Sequence, residues 1–140
     1  MPVNDIDAPQ RISADHLIPL IPGVIFQLHL ARNGHMRFPY IEGGGEALKH
    51  IDRDLLSQNA GELVEQLTGN DHPKIMSAIE RSARWMLPLT TRFLLPFPKE
   101  KPHWIAVSAR PKTVADGVQW NGIMMDISDQ VSEEQRLRKL

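Results

Sequence analysis

The sequence contains no cysteine. That absence removes disulfides, thiolate nucleophiles, cysteine-ligated zinc and any photochemistry that needs a cysteine adduct. It fits a reducing compartment. No stretch approaches the ~18 uninterrupted apolar residues of a membrane span. The opening MPVNDIDAPQ lacks the basic and apolar regions of a secretory signal, so the cytoplasm is the expected location. Net charge is −1 at pH 7, and no run of Lys or Arg marks a membrane-surface patch. Domains that bind nucleic acid by bulk charge usually carry a basic face, so neither nucleic acid nor membrane is an expected partner. Internal repeats and low-complexity tracts are also missing.

What is present suits one ordinary domain. The chain has 140 residues, 41% of them hydrophobic, which is enough for a normal core and too short for two comfortable ones. Residues 1–11 read as a loose, polar lead-in. Ser13 suits the N-cap of a short flanking helix over residues 12–21, which Pro22-Gly23 then breaks. The domain proper is expected over 22–128. Residues 129–140 read as the start of a tail helix.

The periodicity within 22–128 alternates between two kinds. Val24 to Ala31 alternates with period two and reads as a strand. Asn33-Gly34 is a hairpin signal, and His35 to Ile41 is the returning strand. A two-residue loop would mix polar and apolar residues on both faces. A three-residue loop, Arg32-Asn33-Gly34 with Gly34 left-handed, pairs Phe26 with Tyr40, Leu28 with Phe38 and Leu30 with Met36. It also sets His29 against Arg37 and separates an apolar face from a polar one, so it is the expected register. Short helices follow over 46–50, 52–57 and 61–67, with Leu48, Ile51, Leu55, Leu63 and Leu67 on the buried side. Asn70 or Asp71 caps a longer helix that has Pro73 in its first turn, Ile75, Ile79 and Ala83 on its inner face, and an end near Trp85. Three strands are predicted over 89–95, 103–109 and 118–127, with a turn at Asp116-Gly117. The layout is α+β: a five-stranded antiparallel sheet, short helices on one face, and flanking helices at both ends.

This order resembles the PAS domain, the sensory box of bacterial signalling proteins. "PGVIFQLHL" looks like its opening strand and "FPYIEGGGEAL" like its second strand and first helix. "NDHPKIMSAIERSAR" resembles its long helix. "HWIAVSARPKTVADGVQWNGIMMDIS" resembles its last hairpin and closing Asp-Ile-Thr/Ser signature. The match runs from about Leu20 to Leu140. Two departures stand out. Asn70-Asp71-His72-Pro73 replaces the acidic pair that many relatives carry, and Arg92 stands where many carry an acid. The resemblance implies a non-catalytic sensory module. Such a module binds a small molecule in its core and relays a change through the C-terminal helix to an effector in cis, a histidine kinase or a cyclic-di-GMP enzyme. The alternative it leaves open is a ligand-free module for dimerisation or docking; a homodimer is expected in either case. On this reading the chain's stop at Leu140 falls between a sensor and the machine it controls.

The candidate pocket residues are Phe26, Leu28, Phe38, Tyr40, Leu48 and Ile79. A packed core without ligand is the plainer account of the same apolar faces. No cofactor is assigned, and haem and flavin are both disfavoured. No two of the six histidines stand three or four residues apart; His72, the nearest counterpart of a haem ligand, lies at a helix start. Gly43-Gly44-Gly45 fits neither phosphate-loop spacing and reads as a flexible turn. Trp85, Trp104 and Trp120 read as packing residues, in the core or at an interface. No metal site and no catalytic residue is expected. Asp126 as the carboxylate of an isomerase-like pocket is weaker than Asp126 as part of a signal junction with Ile127 and Ser128. There Asp126 and Ser128 would accept hydrogen bonds from the first N–H groups of the tail helix while Ile127 stays buried. Ile123 and Met125 face away from Trp120 and Met124 on the last strand, so the 12–21 helix or a second subunit is expected to cover the outer sheet face.

Overall fold

The computed structural model describes residues 23–43, 52–96 and 99–140. Its elements in chain order are β1 (Gly23–Ala31), β2 (Met36–Gly43), α1 (Arg53–Gln58), α2 (Gly61–Thr68), a 3₁₀ turn (Gly69–Asp71), α3 (His72–Trp85), β3 (Leu89–Leu95), β4 (His103–Val114), β5 (Gly117–Asp126) and α4 (Ser128–Arg138). The five strands form one antiparallel sheet in the order β2-β1-β5-β4-β3. This is the α+β layout expected from the sequence. The expected 46–50 helix, the 12–21 helix, Leu48 and Ile51 lie outside the described residues.

The β1–β2 hairpin corrects part of the predicted register. Near the turn the expectation holds: Gly34 is left-handed at φ 92, Leu30 faces Met36 and His29 faces Arg37. Beyond His29 the register shifts, so that Gln27 faces Tyr40 and Phe26 faces Ile41. Two steps on β1 are matched by three on β2, which makes a β-bulge at Phe38 and Pro39. Pro39 supplies the reason, because it has no N–H to give the ladder. Phe38 still points inward and meets Phe26 edge-on, with ring centroids 5.8 Å apart. After the bulge the faces exchange: Ile41 takes the inner place predicted for Tyr40, and Tyr40 is turned outward, 37% exposed.

The helices cover the inner face. Asp52 caps α1 by accepting from the Leu55 N–H at 3.0 Å. The buried leucine of that helix is Leu56, whereas Leu55 is exposed, one place off the sequence expectation. In a six-residue helix the periodicity is too brief to choose between neighbours. Along α3, Ile75 and Ile79 are buried and Pro73 sits in the first turn, as expected. Asp71 precedes that helix without capping it. Its Oδ2 accepts instead from the Leu94 N–H at 2.8 Å, tying the helix start to β3.

The sheet's inner face carries Phe93 and Leu95 from β3, Ile105, Val107 and Ala109 from β4, and Trp120 and Met124 from β5, all buried. Trp120 is wholly enclosed, and its indole N–H donates to Ser82 Oγ at 2.8 Å, which satisfies the one polar atom that its burial would otherwise strand. Gly122 faces Ala109 across the β4–β5 ladder; a Cβ there would stand 2.3 Å from the Ser108 carbonyl oxygen, so the close approach requires glycine. β4 runs five residues past its predicted end at Ala109, to Val114, paired with β5 alone. Pro111 sits in this stretch, where one edge of β4 is open, the setting in which a strand tolerates proline.

Candidate functional site

The faces just described enclose a cavity of about 60 Å³ between the sheet and the helices. β1 and β2 contribute Phe26, Leu28, Phe38 and Ile41. The helical side contributes Leu56, Val64, Leu67, Thr68, Ile75 and Ile79. Leu89, Thr91, Phe93 and Leu95 come from β3, Val107 from β4 and Met124 from β5. Four expected pocket residues, Phe26, Leu28, Phe38 and Ile79, meet here. Tyr40 does not, because the bulge turns it outward, and Leu48 lies outside the described residues. The sequence reading missed Ile41, Leu56 and the contributions of β3, β4 and β5. The alternation of Phe93 with Leu95, of Ile105 with Val107 and Ala109, and of Trp120 with Gly122 and Met124 carried the signal for the last three strands.

The wall is apolar in chemistry. The hydroxyls among its described residues belong to Thr68 and Thr91, and Thr68 Oγ1 is spent on the Val64 carbonyl at 2.7 Å. Among the described residues no histidine, carboxylate or carboxamide lines the wall. The described wall residues supply no axial ligand for a haem and no side-chain amide or charge for a flavin's ring edge. Among the described residues no group of three His, Asp or Glu could hold a metal ion.

A second constellation sits where β5 gives way to α4. The Ile127 N–H donates to the Trp104 carbonyl at 2.8 Å, and the Trp104 N–H donates to Ser128 Oγ at 3.0 Å. Asp126 Oδ1 accepts from the Ser128 N–H at 2.9 Å, while Oδ2 accepts from His103 Nδ1 at 2.5 Å. Asp126 therefore does what was expected of it, accepting from the first residue of the tail helix. Ser128 does not: its hydroxyl reaches sideways to β4, because Ser128 is already inside the helix and Ile127 occupies the cap position. Burial pushes the Asp126 carboxyl up, but the hydrogen bonds from Ser128 and His103 outweigh it and hold the group below its ordinary value. His103 and Trp104 are the junction residues that sequence reasoning missed. Both precede "IAVSA" at the start of a strand, and no local pattern ties them to residues 23 and 24 places later.

Arg92 completes the junction. Its guanidinium lies 5.5 Å from the centroid of the Trp104 ring, and Nη1 is 3.6 Å from Glu134 Oε1 on α4. The departure noted in the sequence, a base where an acid is common, thus comes with an acid on the tail helix. Val131 is the buried anchor of α4, whereas Leu137 and Leu140 are exposed. Elsewhere, His29 Nε2 donates to Asp116 Oδ1 at 2.8 Å on the sheet's other face, remote from the cavity. That hydrogen bond lowers the Asp116 carboxyl.

The chain matches no family model and no curated protein. Solved structures do match. A sensory box histidine kinase/response regulator from Burkholderia thailandensis superposes with a TM-score of 0.63 at 12% identity, over 89% of this chain and 91% of that one. The N-terminal domain of a diguanylate cyclase with a PAS/PAC sensor from Marinobacter aquaeolei gives 0.57 at 15% identity, over 77% and 97%. An RNA-binding light-oxygen-voltage receptor gives 0.69 at 15% identity; the match takes in 99% of this chain and 38% of that receptor. The fold is that of the PAS, or sensory box, domain.

Proposed function

We propose that the chain is a non-catalytic sensory module that binds a small apolar molecule in its core and passes a conformational bias to an effector domain in cis. The observation that carries this reading is one of connectivity. Met124 in the cavity wall lies two residues before Asp126, and Val107 lies three residues after Trp104 on the strand that the junction grips. A ligand that repacks Met124 and Val107 acts on the two strands whose ends hold α4. Such a ligand shifts the tail only as far as its affinities for the two arrangements differ, and equal affinity shifts nothing.

The chemistry of the described wall residues supports an apolar ligand class. It rewards hydrocarbon at about 25 cal/mol per Å² buried and offers no partner to a charge or to a polar ring edge. A short alkyl or acyl chain or a small aromatic fits; a nucleotide, a sugar or a dicarboxylate does not. The effector consistent with the neighbouring structures is a histidine kinase or a cyclic-di-GMP enzyme, and the location consistent with such an effector is the cytoplasm.

Native mass spectrometry of the purified chain, with thermal shifts against a series of short alkanes and alkylbenzenes, tests the ligand. A stabilising apolar series that is abolished by Val107→Phe, which fills the cavity, is the expected result. Stabilisation by polar metabolites alone would overturn it. A second reading has its own observation: Ile123 and Tyr40 are large apolar groups left exposed on the outer sheet face. They suit a ligand-free module that pairs with a second copy. The ligand response distinguishes the two, since this reading expects a dimer in light scattering that Ile123→Glu dissociates, and no thermal shift with any apolar ligand.

A further inference from the structure

The turn that joins α3 to β3 carries apolar groups that the core does not use. Trp85, Met86 and Leu87 are 65%, 41% and 50% exposed, and Pro88 beside them is exposed as well. Single apolar side chains on a surface are ordinary, but three in succession on one turn form a patch. The fold holds them in that pose. Met86 is left-handed at φ 52, ψ 42. Ser82 Oγ donates to the Leu87 carbonyl at 2.5 Å, and the Leu87 N–H returns to the Ser82 carbonyl at 3.2 Å. Ser82 Oγ also accepts from the buried Trp120 indole. The apolar tips are therefore displayed by a network rooted in the core.

Cations precede them on α3. Arg81 and Arg84 are exposed in the last two turns of α3, and Arg81 shares a helix face with Trp85. β4 also continues past the start of β3 with Arg110 and Lys112, but these alternate with buried Ala109 and share the outer sheet face with Ile123, opposite α3. Glu80 is the acid on this part of α3. Asp116, at the tip of the β4–β5 hairpin, is engaged by His29. Two cations on α3, Arg81 and Arg84, thus precede three exposed apolar side chains, in a chain whose overall charge is −1.

We infer that this turn docks the domain on an anionic lipid surface. The high exposure of three neighbouring residues marks a projection rather than a groove. A projection of Trp, Met and Leu fits the yielding headgroup–acyl boundary of a bilayer, where tryptophan settles with its ring partly wet. The cations draw the turn to acidic headgroups over about a Debye length. A single-stranded nucleic acid would use the cations and stack on Trp85 but leave Met86 and Leu87 without a role. The docking is independent of what fills the cavity.

The test is co-sedimentation of the 140-residue chain with phosphatidylcholine vesicles, with and without phosphatidylglycerol, alongside tryptophan fluorescence. The expected result is partitioning onto phosphatidylglycerol vesicles with a blue shift, weakened by salt. Trp85→Ser should lower the partition about tenfold, Arg84→Glu should lower it by a similar factor, and Trp85→Phe should keep most of it. Unchanged urea midpoints verify that the variants fold. Failure of the parent chain to bind acidic vesicles at low salt would overturn the inference, as would binding indifferent to both disruptive variants. Vesicle-independent self-association that Trp85→Ser abolishes would also overturn it and assign the turn to a protein interface.

Discussion

The cavity and the β5–α4 junction lie two residues apart on β5 and are built by opposite physics. The cavity wall is held by shape and burial alone. Its contacts are many, weak and non-directional, so it can yield by small amounts in several directions. The junction is held by four directed hydrogen bonds among His103, Trp104, Asp126, Ile127 and Ser128. Directed bonds do not stretch far before they are lost. A graded change on one side therefore meets a nearly two-state grip on the other, and the proposed relay rests on that pairing.

The comparison predicts that wall and junction fail differently under mutation. The largest effect belongs to the wall. Phe26→Ala deletes a buried ring that packs edge-on against Phe38 and adjoins the cavity. The expected loss is about 3–5 kcal/mol of global stability, read as a shift of the urea midpoint with every probe moving together. Tail-only loosening at constant midpoint would contradict the assignment of Phe26 to the core.

Asp126→Ala should do the reverse. It removes hydrogen bonds to a charged group, worth roughly 1.5–3 kcal/mol where they act. The loss should appear as faster amide exchange over residues 128–138, with strands β1 and β5 still protected. Equal protection of the tail in mutant and parent would sink the claim that Asp126 holds α4. Acid provides the same test without mutation. The Asp126 carboxyl is held below its ordinary value of 3.8 when folded, so its contribution is fully present above that value. It is lost as pH falls through the lower folded value. Exchange of the α4 amides, corrected for intrinsic rates, should thus rise below about pH 4 in the parent and stay flat in Asp126→Ala.

The same contrast explains what could be read from the sequence. The sheet, the long helix and most of the inner face were legible, because burial imposes period two or 3.6 on contiguous residues. Phe26, Leu28, Phe38 and Ile79 followed from that rule. Tyr40 did not, because one proline inserts a bulge and reverses the faces beyond it, and period counting has no term for an extra residue. Asp126, Ile127 and Ser128 were legible as a junction from their local chemistry and from their likeness to a family signature. Their partners His103 and Trp104 were not, since a hydrogen bond between two strands leaves no periodic trace.

The smallest effect sharpens the comparison most, because it tests whether the junction extends beyond its hydrogen bonds. Glu134 reaches Arg92 at 3.6 Å, and both side chains are about half exposed. An ion pair so placed is worth about 0–1 kcal/mol and is screened by salt. Arg92 also lies over the Trp104 ring, so it keeps a partner on β4 when the acid is removed. Glu134→Gln should therefore leave the urea midpoint within roughly 0.5 kcal/mol of the parent and slightly raise exchange in the second half of α4. Arg92→Gln should do both and also alter the emission of Trp104. If Glu134→Gln loosens α4 as far as Asp126→Ala does, the grip is electrostatic along the helix rather than hydrogen-bonded at its base. The two-state character inferred from the junction would then give way to a graded, salt-dependent coupling.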